Sequence, residues 1–244
     1  MLRQHALLLT PPPPPKLIGK SPAEWAEYNK RQMSRIYPAG HRVDSSNYNP
    51  VPSWNVGSQI VALNYQTSGL MMQLNDGKYT DNGNSGYVLK PECLRTTGNG
   101  FDPISGPFPS TEALNFTIEV MSCSQLPKPK GATKGEVIDP YVILDLHGIP
   151  GDQAKFQTHR VDNNGFNPVF NETFRFEAKM KSLGLLYFVV YDYDLYDADD
   201  FIGYATIPLN CLTQGIRNVP LRSWNGSNGG EFQFCSVMVN VTFI

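Results

Sequence analysis

Oxygen-bearing side chains gather in three short stretches in the second half of the sequence. Asp139 precedes a strand-like run, Asn163 lies in the turn DNNGFNP, and YDYDLYDADDF places Asp192 and Asp194 at the end of another run. Residues two apart on a strand project to the same side, so we expect these last two carboxylates to lie close together. A hard divalent cation relieves their repulsion, and Ca²⁺ takes about 6–8 oxygen ligands. The residues therefore indicate either a calcium site or ordinary solvated turn aspartates, although no EF-hand spacing is present.

Arg35 and Tyr37 form a second pair of interest, two positions apart in SRIYPAG and directly before a Pro-Ala-Gly turn. A guanidinium presents a planar fork of donors that matches phosphate oxygens, and an aromatic ring presents an apolar face. Without further context, a surface ion pair beside a core tyrosine is the simpler interpretation of these two residues.

Composition restricts the class of protein. The 244 residues carry a net charge of −2, which argues against a nucleic-acid-binding protein. The longest leading apolar run, ALLL at 6–9, is too short for a signal peptide or a membrane span, so we expect a cytoplasmic location. The cysteines form no C-x-x-C pair and predict neither a zinc site nor a disulfide framework but free, mostly buried thiols, at Cys93, Cys123, Cys211 and Cys235.

Composition also divides the chain into four segments. Residues 1–20 hold the run Pro11–Pro15 and predict a disordered proline-rich tail, either a spacer or a docking site for a proline-reading domain. Residues 96–111 are rich in Gly, Pro, Ser and Thr and predict a linker between two folded parts, 21–95 and 112–244.

The first folded part has α/β character. SPAEWAEYNKRQM predicts a helix with Ser21 as N-cap and Pro22 in its first turn, and with Trp25, Tyr28 and Met33 as its buried stripe. Three strand-like runs follow, namely SRIY, QIVALNY at 59–65 and GYVLK at 86–90. The segment IVAL is apolar without alternation, which favours a parallel sheet covered on both faces.

The second folded part has all-β character. LNFTIEV alternates strictly between apolar and polar residues, as in a strand with one buried face. Further strand-like runs are separated by Gly, Asn, Pro and Asp turns, with no long helical stretch between them. This spacing predicts an antiparallel β-sandwich. The runs are YVILDLH, KFQTHRV, ETFRFEA, LLYFVVYD, IGYATIPL and FCSVMVNVTF.

Longer motifs carry a family resemblance over residues 21–244. SRIYPAGHRVDSSNYNPVPSWNVGSQIVALNYQT and NGNSGYVLKPECLR resemble the Y region of phosphoinositide-specific phospholipase C, which is the second half of its catalytic TIM barrel. VIDPYVILDLHGIPGD, QTHRVDNNGFNPVFNETFRFE and VVYDYDLYDADDFIGYATIPL resemble the C2 domain that follows this barrel, most closely in delta-type enzymes. The implied fold is α/β plus all-β, the C-terminal part of a TIM barrel followed by an antiparallel C2 β-sandwich.

The resemblance implies roles for the residues of both motifs. It implies that Arg35 contacts the 4-phosphate of an inositol headgroup and that Tyr37 packs against the inositol ring. In the family the acid–base histidines and the catalytic Ca²⁺ ligands belong to the X region, which precedes Y and is not matched by these residues. None of His5, His41, His147 and His159 lies in a context that resembles the catalytic pair.

In the C2 part the resemblance implies Ca²⁺ as cofactor and an anionic phospholipid membrane as partner. Such a chain is expected in the cytoplasm, and at the plasma membrane in the presence of calcium. A phosphoinositide headgroup and an X-half polypeptide are further candidate partners. The calcium-loop positions of the family correspond here to Asp139, Asn163, Asp192, Asp194 and Asp200.

Two functions are compatible with the resemblance. The first is a phosphoinositide phospholipase C polypeptide, which hydrolyses phosphatidylinositol 4,5-bisphosphate to diacylglycerol and inositol trisphosphate. In that case these 244 residues bind the headgroup but do not catalyse the reaction alone. The alternative is a non-catalytic, calcium-dependent phospholipid-binding or regulatory module from a truncated product.

Overall fold

A computed structural model of the chain describes residues 7–8, 18–129, 137–196 and 198–244. Most of the predicted proline-rich tail lies outside the described residues, including the run Pro11–Pro15 and His5. None of the helices in the described ranges is long and apolar enough to cross a membrane.

The first part of the structure is a parallel three-stranded sheet with helices. Its strands are β1 (Leu7–Leu8), β2 (Ser34–Ile36) and β3 (Ile60–Val61), in the order β1-β2-β3. Leu8 pairs with Arg35, and Arg35 with Ile60, in parallel register. The predicted parallel sheet is therefore confirmed, and Leu7–Leu8 extends it from within the segment that was predicted as a tail. The helices of this part are α1 (Pro22–Arg31), α2 (Val51–Asn55) and α3 (Leu70–Lys78).

Helix α1 begins where the sequence predicts but ends at Arg31, two residues before the predicted end at Met33. Ser21 is the N-cap residue and Pro22 occupies the first turn, where its missing N–H costs no hydrogen bond. The buried face differs from the predicted stripe, since Met33 is 52% exposed and Ala26 and Asn29 are buried. The Asn29 side chain donates to the carbonyl of Val56 at 2.9 Å, which explains why a polar residue occupies that face.

Residues 86–90, predicted as a strand from GYVLK, do not form one in the structure. Tyr87 and Leu89 are 81% and 76% exposed, so their side chains pack on no layer. An extended segment becomes a strand only when a neighbour pairs with its backbone groups, and this segment pairs with none of the described strands.

The second part is a sandwich of two antiparallel four-stranded sheets, as predicted. The strands are β4 (Leu114–Ser124), β5 (Pro140–His147), β6 (Ala154–Gln157), β7 (Val169–Ala178), β8 (Leu185–Asp192), β9 (Asp200–Pro208), β10 (Gly215–Pro220) and β11 (Ser236–Phe243). Their orders in the two sheets are β10-β11-β4-β7 and β6-β5-β8-β9.

Strand β8 is apolar from Leu185 to Val190 apart from the Tyr187 hydroxyl, because both of its faces are covered. One face, with Leu186, Phe188 and Val190, lies in the sandwich core. The opposite face carries Tyr187 and Val189 and belongs to a separate apolar cluster with Ile36, Trp54 and Leu74 of the first part. The sheet of the second part thus provides the layer on which the first part packs.

Hydrogen bonds reinforce this contact between the two parts. The Tyr187 hydroxyl donates to Gln73 Oε1 at 2.6 Å, and the Thr206 hydroxyl donates to the Gln73 carbonyl at 2.9 Å. The Tyr204 hydroxyl donates to Asp76 Oδ2 at 3.0 Å. Polar residues on α3 therefore become buried because the tyrosines and the threonine of β8 and β9 supply partners.

Residues 96–111, the predicted linker, pack in a compact turn between the two parts. Phe101 is 2% exposed and lies in one cluster with Leu94, Ile149 and Met180. Asn99 Nδ2 also donates to the Cys93 carbonyl at 2.9 Å. The Gly- and Pro-rich composition thus corresponds here to tight turns that bring the two parts together.

Candidate functional site

The pair of Arg35 and Tyr37 lies at the carboxyl end of strand β2. Ser34 and Ile36 are buried while Arg35 is exposed, as alternation along a strand requires. Two hydrogen bonds hold Ser34: its backbone N–H donates to Gln59 Oε1 at 3.0 Å, and its hydroxyl donates to Asn29 Oδ1 at 2.7 Å. These bonds fix the strand and hence the direction of Arg35.

The structure brings the two side chains together. The guanidinium carbon of Arg35 lies 5.1 Å from the centroid of the Tyr37 ring, in a cation–π contact. Tyr37 is half-buried directly after the strand ends. On a barrel, the carboxyl ends of the strands are where ligand sites are built. The arrangement offers a fork of hydrogen-bond donors and an aromatic ring to the same ligand.

Two asparagines connect the loops beside Arg35 and Tyr37. Neither was predicted as a site residue from the sequence. Asn64 donates its N–H to Asn47 Oδ1 at 2.7 Å, and Asn47 Nδ2 donates to the Asn64 carbonyl at 3.1 Å. The loop after β2 is thereby joined to the loop after β3. The polar run DSSNYN was the only sequence signal for this clamp, and such a run is equally typical of a solvated turn.

The predicted calcium-loop residues meet at one edge of the sandwich. Asp139 precedes β5, Asp192 ends β8 and Asp200 begins β9, and the register places Asp192 opposite Asp200. The Asp192 carboxylate accepts the N–H of Asp139 at 2.7 Å. The Asp139 carboxylate in turn accepts the N–H of Asn163 at 2.6 Å. Three separate loops are thus linked by their carboxylates.

Asp194 reaches the same edge through Asp199, which the sequence analysis did not select. The N–H of Asp194 donates to Asp199 Oδ1 at 3.1 Å, and the Tyr141 hydroxyl donates to Asp199 Oδ2 at 2.5 Å. Burial and this carboxylate both raise the pKa of Tyr141, so its hydroxyl remains a donor at neutral pH.

The predicted ligand residues have the donor atoms that calcium prefers, but their side chains do not converge on one point. All five predicted ligand residues offer oxygen, which is the donor that Ca²⁺ prefers. However, no group of three or more acidic, His or Cys side chains converges as a metal site within the described residues. That range leaves out two acidic residues close in sequence to the predicted ligands, Glu136 and Asp197. The carboxylates of Asp139 and Asp192 instead bind backbone N–H groups. A cation at this edge would have to compete with those hydrogen bonds.

Large apolar side chains project from two of these three loops. Tyr196 and Leu195 are 93% and 68% exposed beside Asp194, and Phe166 is 69% exposed in the loop that holds Asn163. Exposed apolar residues clustered beside polar ones mark surfaces that bind a protein or a membrane.

The described histidines do not form a catalytic pair. His147 lies in the second part against the Tyr187 ring, where burial lowers its pKa. His159 contacts the Glu172 carboxylate in that same part. His41 lies on the exposed turn after Tyr37. None of these contacts involves Arg35.

Comparison with known proteins agrees with both halves of this architecture. Residues 13–93 match the family "Phosphatidylinositol-specific phospholipase C, Y domain" and residues 114–222 match "C2 domain". The crystal structure of S. officinalis PLC21 superposes with a TM-score of 0.81 at 34% identity, over 93% of this chain and 28% of that one.

Curated relatives include both inactive and enzymatic proteins. "Inactive phospholipase C-like protein 1" of Homo sapiens is 46% identical over 86% of this chain and 19% of its own length. "1-phosphatidylinositol 4,5-bisphosphate phosphodiesterase delta-3" of Homo sapiens is 42% identical over 87% of this chain and 27% of its own. The chain thus spans a fifth to a quarter of these relatives. It belongs to the phosphoinositide-specific phospholipase C family, of which it holds the Y region, as the C-terminal part of a TIM barrel, and the C2 domain.

Proposed function

We propose that the chain binds a phosphoinositide headgroup through Arg35 and Tyr37 and docks on anionic membranes through the calcium-dependent edge of its C2 domain. The observation that carries the first half is the cation–π pair itself, at the carboxyl end of a parallel strand. Arg35 is exposed, and the strand is already held by the hydrogen bonds of Ser34. The Arg35 side chain is therefore not needed to stabilise the strand and is available to bind a ligand.

The charge of Arg35 supports an anionic ligand. Arg35 forms none of the ion pairs found among the described residues, so its guanidinium is not neutralised by a carboxylate of that part of the chain. A phosphate can accept two parallel N–H bonds from it, and the C–H face of an inositol ring can lie on Tyr37.

We propose hydrolysis only for a larger assembly in which these residues act together with an X region. The reaction needs an acid and a base at the attacked phosphate, and no described histidine contacts Arg35 or Tyr37. We therefore assign headgroup positioning to these residues and proton transfer to an X region. That region acts on phosphatidylinositol 4,5-bisphosphate as part of the same polypeptide or as a partner.

Titration with inositol trisphosphate tests headgroup binding. We expect Arg35→Ala to weaken binding by about tenfold or more, since a charge-assisted hydrogen bond contributes roughly 1.5–3 kcal/mol. Arg31→Ala removes an exposed arginine from the end of α1 and is the matched control. Equal affinities of the wild-type chain and both variants would refute the assignment.

The acidic edge supports the second half of the proposal. Aspartates from three loops and exposed apolar side chains share that edge, so a bound cation would attract lipid phosphates while Tyr196 and Leu195 enter the interface. Because these protein ligands do not saturate Ca²⁺, water or a lipid phosphate completes its coordination. The proposed location is accordingly the cytoplasm, with recruitment to the plasma membrane in calcium.

Sedimentation with phosphatidylserine vesicles tests this docking. We expect binding in calcium and release by a chelator, with added salt weakening the contact because exposed charges are screened over about 8–10 Å. Asp194→Asn with Asp200→Asn should abolish the calcium response. Glu177→Gln, at an exposed position of strand β7, is the control. Vesicle binding that is independent of calcium in every variant would refute the proposal.

A second candidate is a regulator that binds lipid without any catalysis. The relatives named "Inactive phospholipase C-like protein" 1 and 2 favour it. Mixing the chain with an X-region polypeptide and phosphatidylinositol 4,5-bisphosphate separates the two candidates. Turnover by the mixture supports the phospholipase, whereas headgroup binding without turnover supports the regulator.

A further inference from the structure

A cavity of about 410 Å³ opens between the two sheets of the C2 sandwich, away from the acidic edge. Phe188 of one sheet and Val239 and Val241 of the other form its apolar floor, and each is at most 1% exposed. Sites for small molecules have volumes of about 300–1,000 Å³ and are mostly apolar. The cavity therefore has the size and the surface of a ligand site.

The path of the chain after β10 explains the opening. At Arg222 the chain reaches across to β9, where its N–H donates to the Tyr204 carbonyl at 2.7 Å and its carbonyl accepts the Tyr204 N–H at 2.9 Å. This bridge ties the edges of the two sheets at one point. Beside it, Val219 of β10 and Ala205 of β9 both line the cavity.

Two arginines line the mouth of the cavity, Arg217 and Arg222. The guanidinium of Arg217 is held in place, because Nε donates to Thr213 Oγ1 at 2.6 Å and Nη1 donates to the Ile216 carbonyl at 2.9 Å. Arg222 Nη1 donates to the Gly226 carbonyl at 3.2 Å. These acceptors are neutral, and neither arginine forms an ion pair among the described residues. Their positive charge is therefore retained.

We propose that this cavity binds a single-chain anionic amphiphile of the fatty-acid class. The hydrocarbon chain would lie on the floor between the sheets, and the acid group would meet Arg217 and Arg222 at the mouth. The apolar floor gives no partners to a sugar or an inositol phosphate, which favours a hydrocarbon chain over a second headgroup there. The cationic mouth selects an anionic amphiphile over a neutral one of equal chain length.

Cys211 provides a reporter at the mouth. It is exposed and lines the cavity, whereas Cys93, Cys123 and Cys235 are buried. Burial also raises the pKa of Cys93 to about 11 and of Cys235 to about 12, so these thiols react slowly. Burial and the hydrogen-bonded Asp81 carboxylate raise the pKa of Cys211 as well, and a mildly alkaline buffer offsets this. The modification rate of the folded chain by an aromatic disulfide then reports Cys211.

The test is protection of Cys211 by dodecanoate below its micelle-forming concentration. We expect saturating dodecanoate to slow modification by about tenfold, because the occupied mouth blocks access to the thiol. Dodecyl maltoside has the same chain without the charge and should protect only at much higher concentration. Absence of protection by dodecanoate would refute the site, and equal protection by both would refute an anionic ligand.

Variants at the mouth separate binding in the cavity from binding elsewhere. Arg217→Gln with Arg222→Gln should raise the half-protecting dodecanoate concentration about tenfold or more, as loss of charge-assisted hydrogen bonds predicts. Arg217→Lys keeps the charge and should retain most of the protection, which also controls for folding. Arg175→Gln, at an exposed position of strand β7, should leave the protection unchanged. Unchanged protection in the double variant would overturn the proposal.

Discussion

Gly77 of helix α3 lies against Thr206 of strand β9 at a distance that leaves no room for a side chain. A Cβ atom added at residue 77 would stand 2.2 Å from Thr206 Cβ and 2.9 Å from the Thr206 carbonyl oxygen. The hydroxyl of Thr206 donates to Gln73 one turn earlier on the same helix. Helix α3 of the barrel part therefore packs on the C2 sheet at very close range, and we expect the two parts to stabilise each other.

Gly77→Ala should destabilise the whole chain. Alanine raises helix propensity by about 1 kcal/mol over glycine, but overpacking of a close contact costs about 1–3 kcal/mol or more, and here the clash includes backbone. We expect a net loss in the free energy of unfolding, with one shared transition for both parts. Urea unfolding followed by tryptophan fluorescence and by circular dichroism measures it.

Gly19→Ala is the matched control for that experiment. Gly19 lies in a short helical turn at residues 18–20, and an added Cβ would meet nothing within 4 Å. This substitution should leave stability unchanged or slightly raised. Two separate transitions in the wild-type chain, or equal effects of the two substitutions, would show that the contact at Thr206 does not couple the parts.

Tyr37 should contribute to headgroup binding through its ring and not through its hydroxyl. We expect Tyr37→Phe to bind inositol trisphosphate within about twofold of wild type, and Tyr37→Ala to bind roughly tenfold more weakly, since the cation–π contact and the apolar face are then lost. Calorimetric titration provides the comparison. A large loss in Tyr37→Phe would assign the role to the hydroxyl instead.

The sandwich was predictable from the sequence because its strands show their burial pattern. Alternation in LNFTIEV placed Phe116, Ile118 and Val120 on the inner face, and the structure buries all three completely. Strand β10 escaped prediction since five of its six residues are not buried and its composition resembles a loop. An edge strand of this kind is defined by its neighbour β11 and not by its own pattern.

Helix α3 escaped prediction for a related reason. It begins without a side-chain cap, contains Gly77 and buries the polar residues Gln73 and Asn75. Those features argue against an amphipathic helix until Tyr187 and Thr206 supply hydrogen bonds from the other part. The proximity of Arg35 and Tyr37 was predictable from their two-residue spacing. The contribution of Asp199 was not, since it depends on how a loop folds back on Asp194.

The exposed tip of the loop between β8 and β9 should determine membrane affinity but not calcium affinity. Leu195→Ser with Tyr196→Ser removes two of the most exposed apolar side chains at that edge. We expect about tenfold or greater loss of binding to phosphatidylserine vesicles in calcium, since burial of an apolar side chain contributes about 1.5–3 kcal/mol. Calcium binding without vesicles should be unchanged.

Ile216→Ser serves as the control for loss of apolar surface, because Ile216 is 61% exposed on strand β10, away from the acidic edge. It should bind vesicles like the wild type. If the loop variant also kept its vesicle affinity, the docking would be electrostatic alone, and Leu195 and Tyr196 would have no part in it.

Lys78 gives the chain a pH-dependent contribution to stability. It ends helix α3 beneath the Trp54 ring, with its amine 5.2 Å from the ring centroid. Burial lowers its pKa from 10.5 to about 8 in the folded chain. Above about pH 8 the unfolded chain therefore binds more protons at this residue than the folded chain, and stability from this group rises with pH until about pH 10.5.

Lys78→Met should consequently be more stable than wild type at pH 7, by about 1–3 kcal/mol, because it removes a buried charge. The difference should shrink as the pH is raised from 8 towards 10, where the wild-type amine is neutral in the folded state. Urea unfolding of both chains at each pH measures the difference, in which all other titrating groups cancel. Exposed Lys128→Met controls for the change in net charge. A stability difference that stays constant or widens with pH would mean that the folded chain holds Lys78 in its charged form throughout.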